Sequence, residues 1–143
     1  MQFQREADDQ EFGGTPADFK NRCYTFLDVL CNDKNLDRAA RYLHPDCVLI
    51  HADNPPVHGS SAFLGAWGAN LEKIPGYHKD VRDIIVELGG PSEAARVWVY
   101  SRISGIHGDS LTDSIDMMHF TADGLFLDSK DVQRPLGKPD ATG

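Results

Sequence analysis

A single stretch, 43–59 (LHPDCVLIHADNPPVHG), constrains most strongly what this chain can fold into. Turn-forming residues at 44–46 and 54–56 bound the run 47–51, which has the length and β-branched content of one buried strand. Because side chains alternate along a strand, Cys47, Leu49, His51 and Asp53 share a face that turns from apolar to polar. Such a face suits a cavity wall with ionisable groups, and it equally suits a strand that leaves the core for solvent.

The composition limits the class of protein. The chain has 143 residues, 41% hydrophobic and 25% charged, which fits one globular domain with its own core. A net charge of −8 argues against nucleic acid or an anionic membrane as partner, because both favour a basic surface. The three cysteines lack any metal-ligand spacing and favour buried thiols over disulfides or a metal site. Without a signal peptide or a run of membrane-spanning length, a soluble cytoplasmic protein is expected.

The order of predicted elements places helices before a β-rich half. Residues 1–14 are polar and end in two glycines, which predicts a mobile arm outside the core. Amphipathic spacing predicts three helices, at about 16–31, 36–43 and 60–75, and alternation predicts strands near 77–87, 94–104, 115–120 and 125–132. The pattern indicates one α+β domain over 15–135, in which three N-terminal helices pack on a curved, mainly antiparallel sheet, and a tail over 136–143.

This order of elements, with the motifs RYLHPDCVLIHADNPPVHGSSAF, ISGIHG and SIDMMHFTADGLFLDSKDVQ, resembles the SnoaL-like branch of the nuclear-transport-factor-2-like superfamily. The resemblance covers about 17–134 and implies a cone-shaped fold in which helices close a bent sheet around a pocket. It does not select a reaction, because the same scaffold serves isomerases, dehydratases, cyclases, epoxide hydrolases and binding modules.

Matching to the ketosteroid isomerases of that superfamily gives candidate catalytic residues. The position of their base falls on His51, and their oxyanion-hole aspartate falls on Asp116 in IDMMHF. A histidine is basic near neutral pH without help, whereas Asp116 would need its apolar neighbours to keep it protonated as the acid. Asp131, on the last strand, is the third candidate. Their hydroxyl-donating tyrosine aligns with Leu27, so steroid isomerisation is not expected.

Further residues are candidates for substrate binding. The isomerase alignment suggests Trp67 and Gln133, the turn at His107 resembles one at the pocket mouth, and related fungal natural-product proteins use an arginine at the position of Arg38. The full set is Tyr24, Arg38, Asp53, Trp67, Trp98, Tyr100, His107, Met118 and Gln133. For Trp98 and Tyr100 the alternation leaves two alternatives: an inward face that stacks on substrate, or an outward face that forms a dimer surface.

The expected activity is a cofactor-independent isomerase or lyase. It would rearrange, cyclise or dehydrate a hydrophobic polycyclic natural-product intermediate by general acid and base catalysis. The alternative is a non-catalytic ligand carrier or dimerising accessory module of the same fold. A cavity on which His51, Asp116 and Asp131 converge would favour the enzyme, and a pocket plugged by Trp98 and Met118 would favour the module. A sheet with helices on one side leaves its other face uncovered, so a homodimer is expected.

Overall fold

The computed structural model describes residues 2–51, 54–90 and 93–137. Helices and strands alternate in the first half, and a β-meander forms the second. The helices are α1 Pro16–Leu27, α2 Leu36–Ala39 and α3 Ser60–Lys73, and the strands are β1 Leu43–Ile50, β2 Val57–His58, β3 His78–Glu87, β4 Ala95–Ser104, β5 Leu111–Phe120 and β6 Phe126–Gly137. A π-helical segment, Asp28–Asp33, follows α1, and a 3₁₀ turn, Ala40–Tyr42, follows α2. None of the helices in these ranges is both long and apolar enough to cross a membrane.

Local sequence signals explain where α1 begins. The Thr15 hydroxyl accepts a hydrogen bond from the Asp18 backbone N–H, and the Asp18 carboxylate accepts one from the Thr15 N–H, both at 3.1 Å. This capping box precedes Pro16 at the first helical position, where a missing N–H costs nothing. The predicted start of the helix is therefore confirmed.

The predicted helices differ from the observed ones in two respects. The first changes to π geometry after Leu27, and the second is a single turn, because the chain already enters β1 at Leu43. The third lies between β2 and β3, so the helices do not all precede the sheet. Expecting three N-terminal helices was wrong on this point, whereas the α+β class is confirmed.

The sheet has the strand order β2-β1-β6-β5-β4-β3. β1 runs parallel to β6, and all the other pairs are antiparallel. Both β5 and β6 are longer than predicted, and Thr112 pairs with Pro135 near their ends. Proline is tolerated there because β1 pairs with β6 only as far as Lys130, which leaves β6 with one neighbour beyond that residue.

Strand β4 settles which face of the sheet meets the helices. Its small and β-branched residues are buried, and they alternate with Trp98, Tyr100 and Arg102. Trp98 is 46% exposed, so the aromatic face points away from the core. The inward alternative is therefore wrong, because Val97 and Val99 of the opposite face are the residues buried in the core.

The N-terminal segment packs on α1. Phe3 is buried against the Tyr24 ring, with 4.9 Å between centroids. Glu6 is also buried, and its carboxylate accepts a 2.7 Å hydrogen bond from Arg22 Nε. Phe3 and Glu6 therefore pack against the core, whereas residues 7–11 are exposed.

Candidate active site

A cavity of about 700 Å³ lies between the inner face of the sheet and the helices α1 and α3. Its walls are mainly apolar, and a few polar side chains project into it. The apolar walls include Phe26, Leu30, Leu49, Phe63, Met118 and Phe126. This volume and this lining are typical of sites that bind small hydrophobic molecules.

Two carboxylates lie next to each other on the cavity wall. Asp116 of β5 and Asp131 of β6 are directly opposed in the antiparallel register, and both line the cavity. Opposed like charges repel unless each has a partner of its own. In this site each carboxylate has a different nitrogen partner, His51 for Asp131 and Lys79 for Asp116.

The pairing of His51 with Asp131 follows from the parallel register of β1 and β6. Ile50 is opposite Lys130, so the next residues, His51 and Asp131, stand side by side. His51 Nδ1 lies 2.7 Å from Asp131 Oδ2, which also accepts a 3.1 Å hydrogen bond from Gln133 Nε2. A carboxylate that accepts from Nδ1–H leaves Nε2 as the basic nitrogen and stabilises the imidazolium once a proton is taken up.

The second pair is an ion pair on the inner wall. Lys79 Nζ donates to Asp116 Oδ2 at 2.7 Å, and the two side chains are only 7% and 11% exposed. Burial by itself lowers the pKa of the Lys79 ammonium, but the adjacent Asp116 carboxylate outweighs it and holds that pKa well above its ordinary value. Asp116 therefore has an ammonium beside it and accepts a hydrogen bond from it, in addition to the apolar neighbours expected from its own strand.

The π-helical segment positions Lys79. The Asn32 side chain accepts a hydrogen bond from the Lys79 backbone N–H at 2.8 Å and donates one to the Lys79 carbonyl at 2.9 Å. The segment itself is held by Trp67, whose indole N–H donates to the Leu30 carbonyl at 3.1 Å. Segments of π-helix are frequent at functional sites, and here the segment fixes the backbone of the buried lysine.

Tyr77 supplies a further hydroxyl to the cavity lining. Its ring packs edge-on against Trp67, with centroids 5.1 Å apart, and burial raises the pKa of the phenol. Next to Tyr77, the backbones of Gly76 and Gly105 pack closely together. A side chain at Gly105, which has a φ of 84°, would lie 1.9 Å from the Gly76 carbonyl oxygen. His107 follows on this turn and lies at the rim.

The cavity brings together many of the predicted site residues but not all of them. His51, Trp67, His107, Asp116, Met118, Asp131 and Gln133 line it. Trp98 and Tyr100 lie on the outer face of β4, which corrects their assignment to substrate binding. Tyr24 packs on Phe3, and Arg38 forms an ion pair with Asp8, so neither lines the cavity. Asp53 lies outside the described residues.

Three contributors were missed by sequence reasoning, namely Asn32, Tyr77 and Lys79. A signal existed for Lys79, because it shares a strand face with the buried Val81. A lysine on the same strand face as core residues needs a buried partner, and this requirement could have identified Lys79 as a candidate. No comparable local signal marks Asn32, since its role depends on a contact with a strand 47 residues away.

Comparison with known proteins identifies the family. A family model described as a SnoaL-like domain matches residues 24–128. A relative named "Probable cyclase otaY" from Aspergillus niger is 32% identical over 119 residues, which cover 83% of this chain and 94% of the relative. Its namesake from Aspergillus carbonarius is 34% identical over 120 residues, covering 84% and 92%.

The fold is also shared with solved structures. A steroid delta-isomerase from Pseudomonas aeruginosa matches with a TM-score of 0.59 at 19% identity, over 80% of this chain and 81% of that chain. This likeness concerns the fold, while the family model and the relatives support an isomerase or cyclase kind of function. The family model spans most of the chain, and both relatives exceed 30% identity over most of its length. The chain therefore belongs to the SnoaL-like family.

Proposed function

We propose that this protein is a cyclase or isomerase that acts by proton transfer on a hydrophobic polycyclic natural-product intermediate, with His51 as the general base. The observation that carries this proposal is the His51–Asp131 pair, joined at 2.7 Å on the wall of an apolar cavity. Its chemistry needs no cofactor, because the base, its orienting carboxylate and the apolar pocket are all supplied by the chain.

The first chemical step can be written with its electrons balanced. His51 Nε2 takes a proton from a carbon next to a carbonyl group, and the C–H electron pair forms the C=C bond of an enolate while the carbonyl π pair moves to oxygen. Where a C=C bond is conjugated with the enolate, return of the proton from the imidazolium to the far carbon of that bond completes an isomerisation. Attack of the enolate carbon on a second carbonyl instead closes a ring, and the alkoxide formed from that carbonyl takes the proton from the imidazolium. Asp131 stabilises the imidazolium formed on the way.

The cavity supports a flat, apolar substrate. Five aromatic side chains line it, Phe26, Phe63, Trp67, Tyr77 and Phe126. A volume of about 700 Å³ lies within the range for drug-sized ligands. The rival interpretation, a binding module with a plugged pocket, has less support, because Trp98 is on the outer face and Met118 forms part of the wall of an open cavity.

The test measures proton abstraction directly. β-Tetralone, a bicyclic ketone with acidic C–H groups, is incubated with the protein in heavy water, and exchange at the carbon next to the carbonyl is followed by proton NMR. His51→Ala is expected to slow exchange by about two to four orders of magnitude, the usual contribution of a positioned base. Melting should change little, because the His51 side chain is 44% exposed.

The chain provides a matched control. His119 and Asp128 form a second pair of the same type, with Nδ1 and Oδ1 2.7 Å apart, but His119 lies on the outer face of β5. His119→Ala should therefore leave exchange unchanged. Asp131→Asn should slow exchange and also alter its pH profile, because the amide no longer fixes the tautomer or stabilises the imidazolium. Equal exchange rates in the parent and His51→Ala would rule out His51 as the base.

A further inference from the structure

The proton transfer written above for His51 uses Asp131 and leaves the Lys79–Asp116 pair without an assigned role. An ammonium group carries three N–H donors. Asp116 Oδ2 is the one acceptor that Lys79 Nζ has among the residues described by the structure. A buried ammonium that lines a cavity, and whose remaining donors have no acceptor in residues 2–51, 54–90 and 93–137, is suited to receive an oxygen atom from a bound molecule.

The position of this group relative to the base is set by the sheet. Strands β1, β6 and β5 are neighbours, so His51, Asp131 and Asp116 follow one another across the inner face, and Lys79 Nζ contacts Asp116. The backbones of β1 and β5 are two strand spacings apart, about 10 Å, and the opposed carboxylates of Asp131 and Asp116 bring the imidazole and the ammonium into one short row. A ligand lying along this row can place a carbon at one end and an oxygen at the other.

The ammonium is held rigidly. Asn32 binds both backbone polar groups of Lys79, and Asp116 binds the head of its side chain. A fixed donor in a water-poor site stabilises charge that develops on an oxygen without having to reorganise. Asp116 also balances the charge of Lys79, so the donor is held in place before any ligand arrives.

We propose that Lys79 is the subsite for an enolate or phenolate oxygen, and that the substrate is an enolisable carbonyl compound or a phenol. The claim that the bound molecule reacts at His51 rests on the proposed function, whereas the claim that Lys79 binds its oxygen does not. When the substrate carbon loses its proton to His51, the electron pair moves to the carbonyl oxygen, and a Lys79 N–H donates a hydrogen bond to that oxygen. No proton leaves Lys79 in this step, so charge is conserved between the imidazolium and the enolate.

The test uses p-nitrophenol, whose phenolate absorbs in the visible range. The pH at which the bound probe ionises is measured by absorbance titration with the protein in excess. The parent protein is expected to bind the phenolate about tenfold to a hundredfold more tightly than the phenol, which is the effect of one charged hydrogen bond. In Lys79→Met/Asp116→Leu, which removes both charges and keeps the volume similar, this preference should vanish.

Two further variants separate the alternatives. Asp116→Asn keeps an acceptor beside the ammonium and removes the competing negative charge, so it should bind phenolate at least as well as the parent. His51→Ala should keep the phenolate preference while losing ketone exchange, so failure of the base and failure of the oxygen subsite are distinguishable. No phenolate preference in the parent, or an unchanged preference in the double variant, would overturn the assignment of Lys79.

Discussion

Removing the two charges of the Lys79–Asp116 pair one at a time should destabilise the fold far more than removing both. The pair is 2.7 Å long and its side chains are 7% and 11% exposed, so each single change leaves a charge without its partner in a poorly hydrated site. Lys79→Met or Asp116→Leu alone should each lower the free energy of unfolding by about 3 kcal/mol. This value is at the lower end of the range for breaking a buried ion pair, because a cavity adjoins the pair. The double change should cost about 1 kcal/mol or less, since similar volumes of apolar side chain replace both charges.

Urea unfolding followed by tryptophan fluorescence measures these differences. With a slope of about 2 kcal/mol per M, a loss of 3 kcal/mol lowers the midpoint by about 1.5 M. The exposed pair of Arg82 with Asp80, whose side chains are 44% and 57% exposed, provides the control, and Arg82→Met should cost about 0–1 kcal/mol. The reasoning is refuted if Lys79→Met costs no more than this control, or if the double variant loses as much as the two single variants added together.

Two further predictions concern pH and assembly. Burial raises the pKa of the Cys31 thiol from 9.0 to about 11, so this thiol ionises at a lower pH in the unfolded chain than in the folded one. The stability that the neutral thiol contributes is therefore complete below pH 9 and is lost as the pH rises through about 11. Urea midpoints between pH 8 and pH 10 should therefore fall with pH, and Cys31→Ala should reduce that slope, whereas an identical slope would contradict the assignment. The outer sheet face exposes Ile85, Trp98 and Val132 at 65%, 46% and 61%, and we expect it to pair with a second copy. Light scattering should give twice 15.8 kDa, and Trp98→Lys should give the mass of one chain; a parent protein of single-chain mass would contradict this prediction.

The sequence predicted which residues lie at the site better than it predicted their hydrogen-bond partners. Local patterns placed His51 at the end of a strand and Asp131 on another, but nothing in either pattern shows that they are hydrogen-bonded across 80 positions of the chain. The partner of Asp116 was missed for the same reason, because Lys79 is 37 residues away. The surroundings of an ionisable group cannot be inferred from its sequence neighbours alone when its charged partner comes from another strand.

Periodicity predicted whether a segment is a helix or a strand, but it did not always predict which face of a strand is buried. Strand β4 has apolar side chains on both faces, so alternation alone could not decide whether Trp98 or Val99 is inside. The decision depends on the space left under α1, which favours small β-branched side chains. The change to π geometry after Leu27 was also invisible, because the spacing of apolar residues continues through both kinds of helix.

The contact between Asn32 and Lys79 has a consequence for the behaviour of the protein in a crowded solution. β3 is the last strand of the sheet, and its outer edge would expose backbone donors and acceptors that a strand from another molecule could bind. Around Lys79 the Asn32 amide occupies the N–H and the C=O that an incoming strand would need. The contact that holds the buried lysine therefore also closes this part of the edge to strand addition.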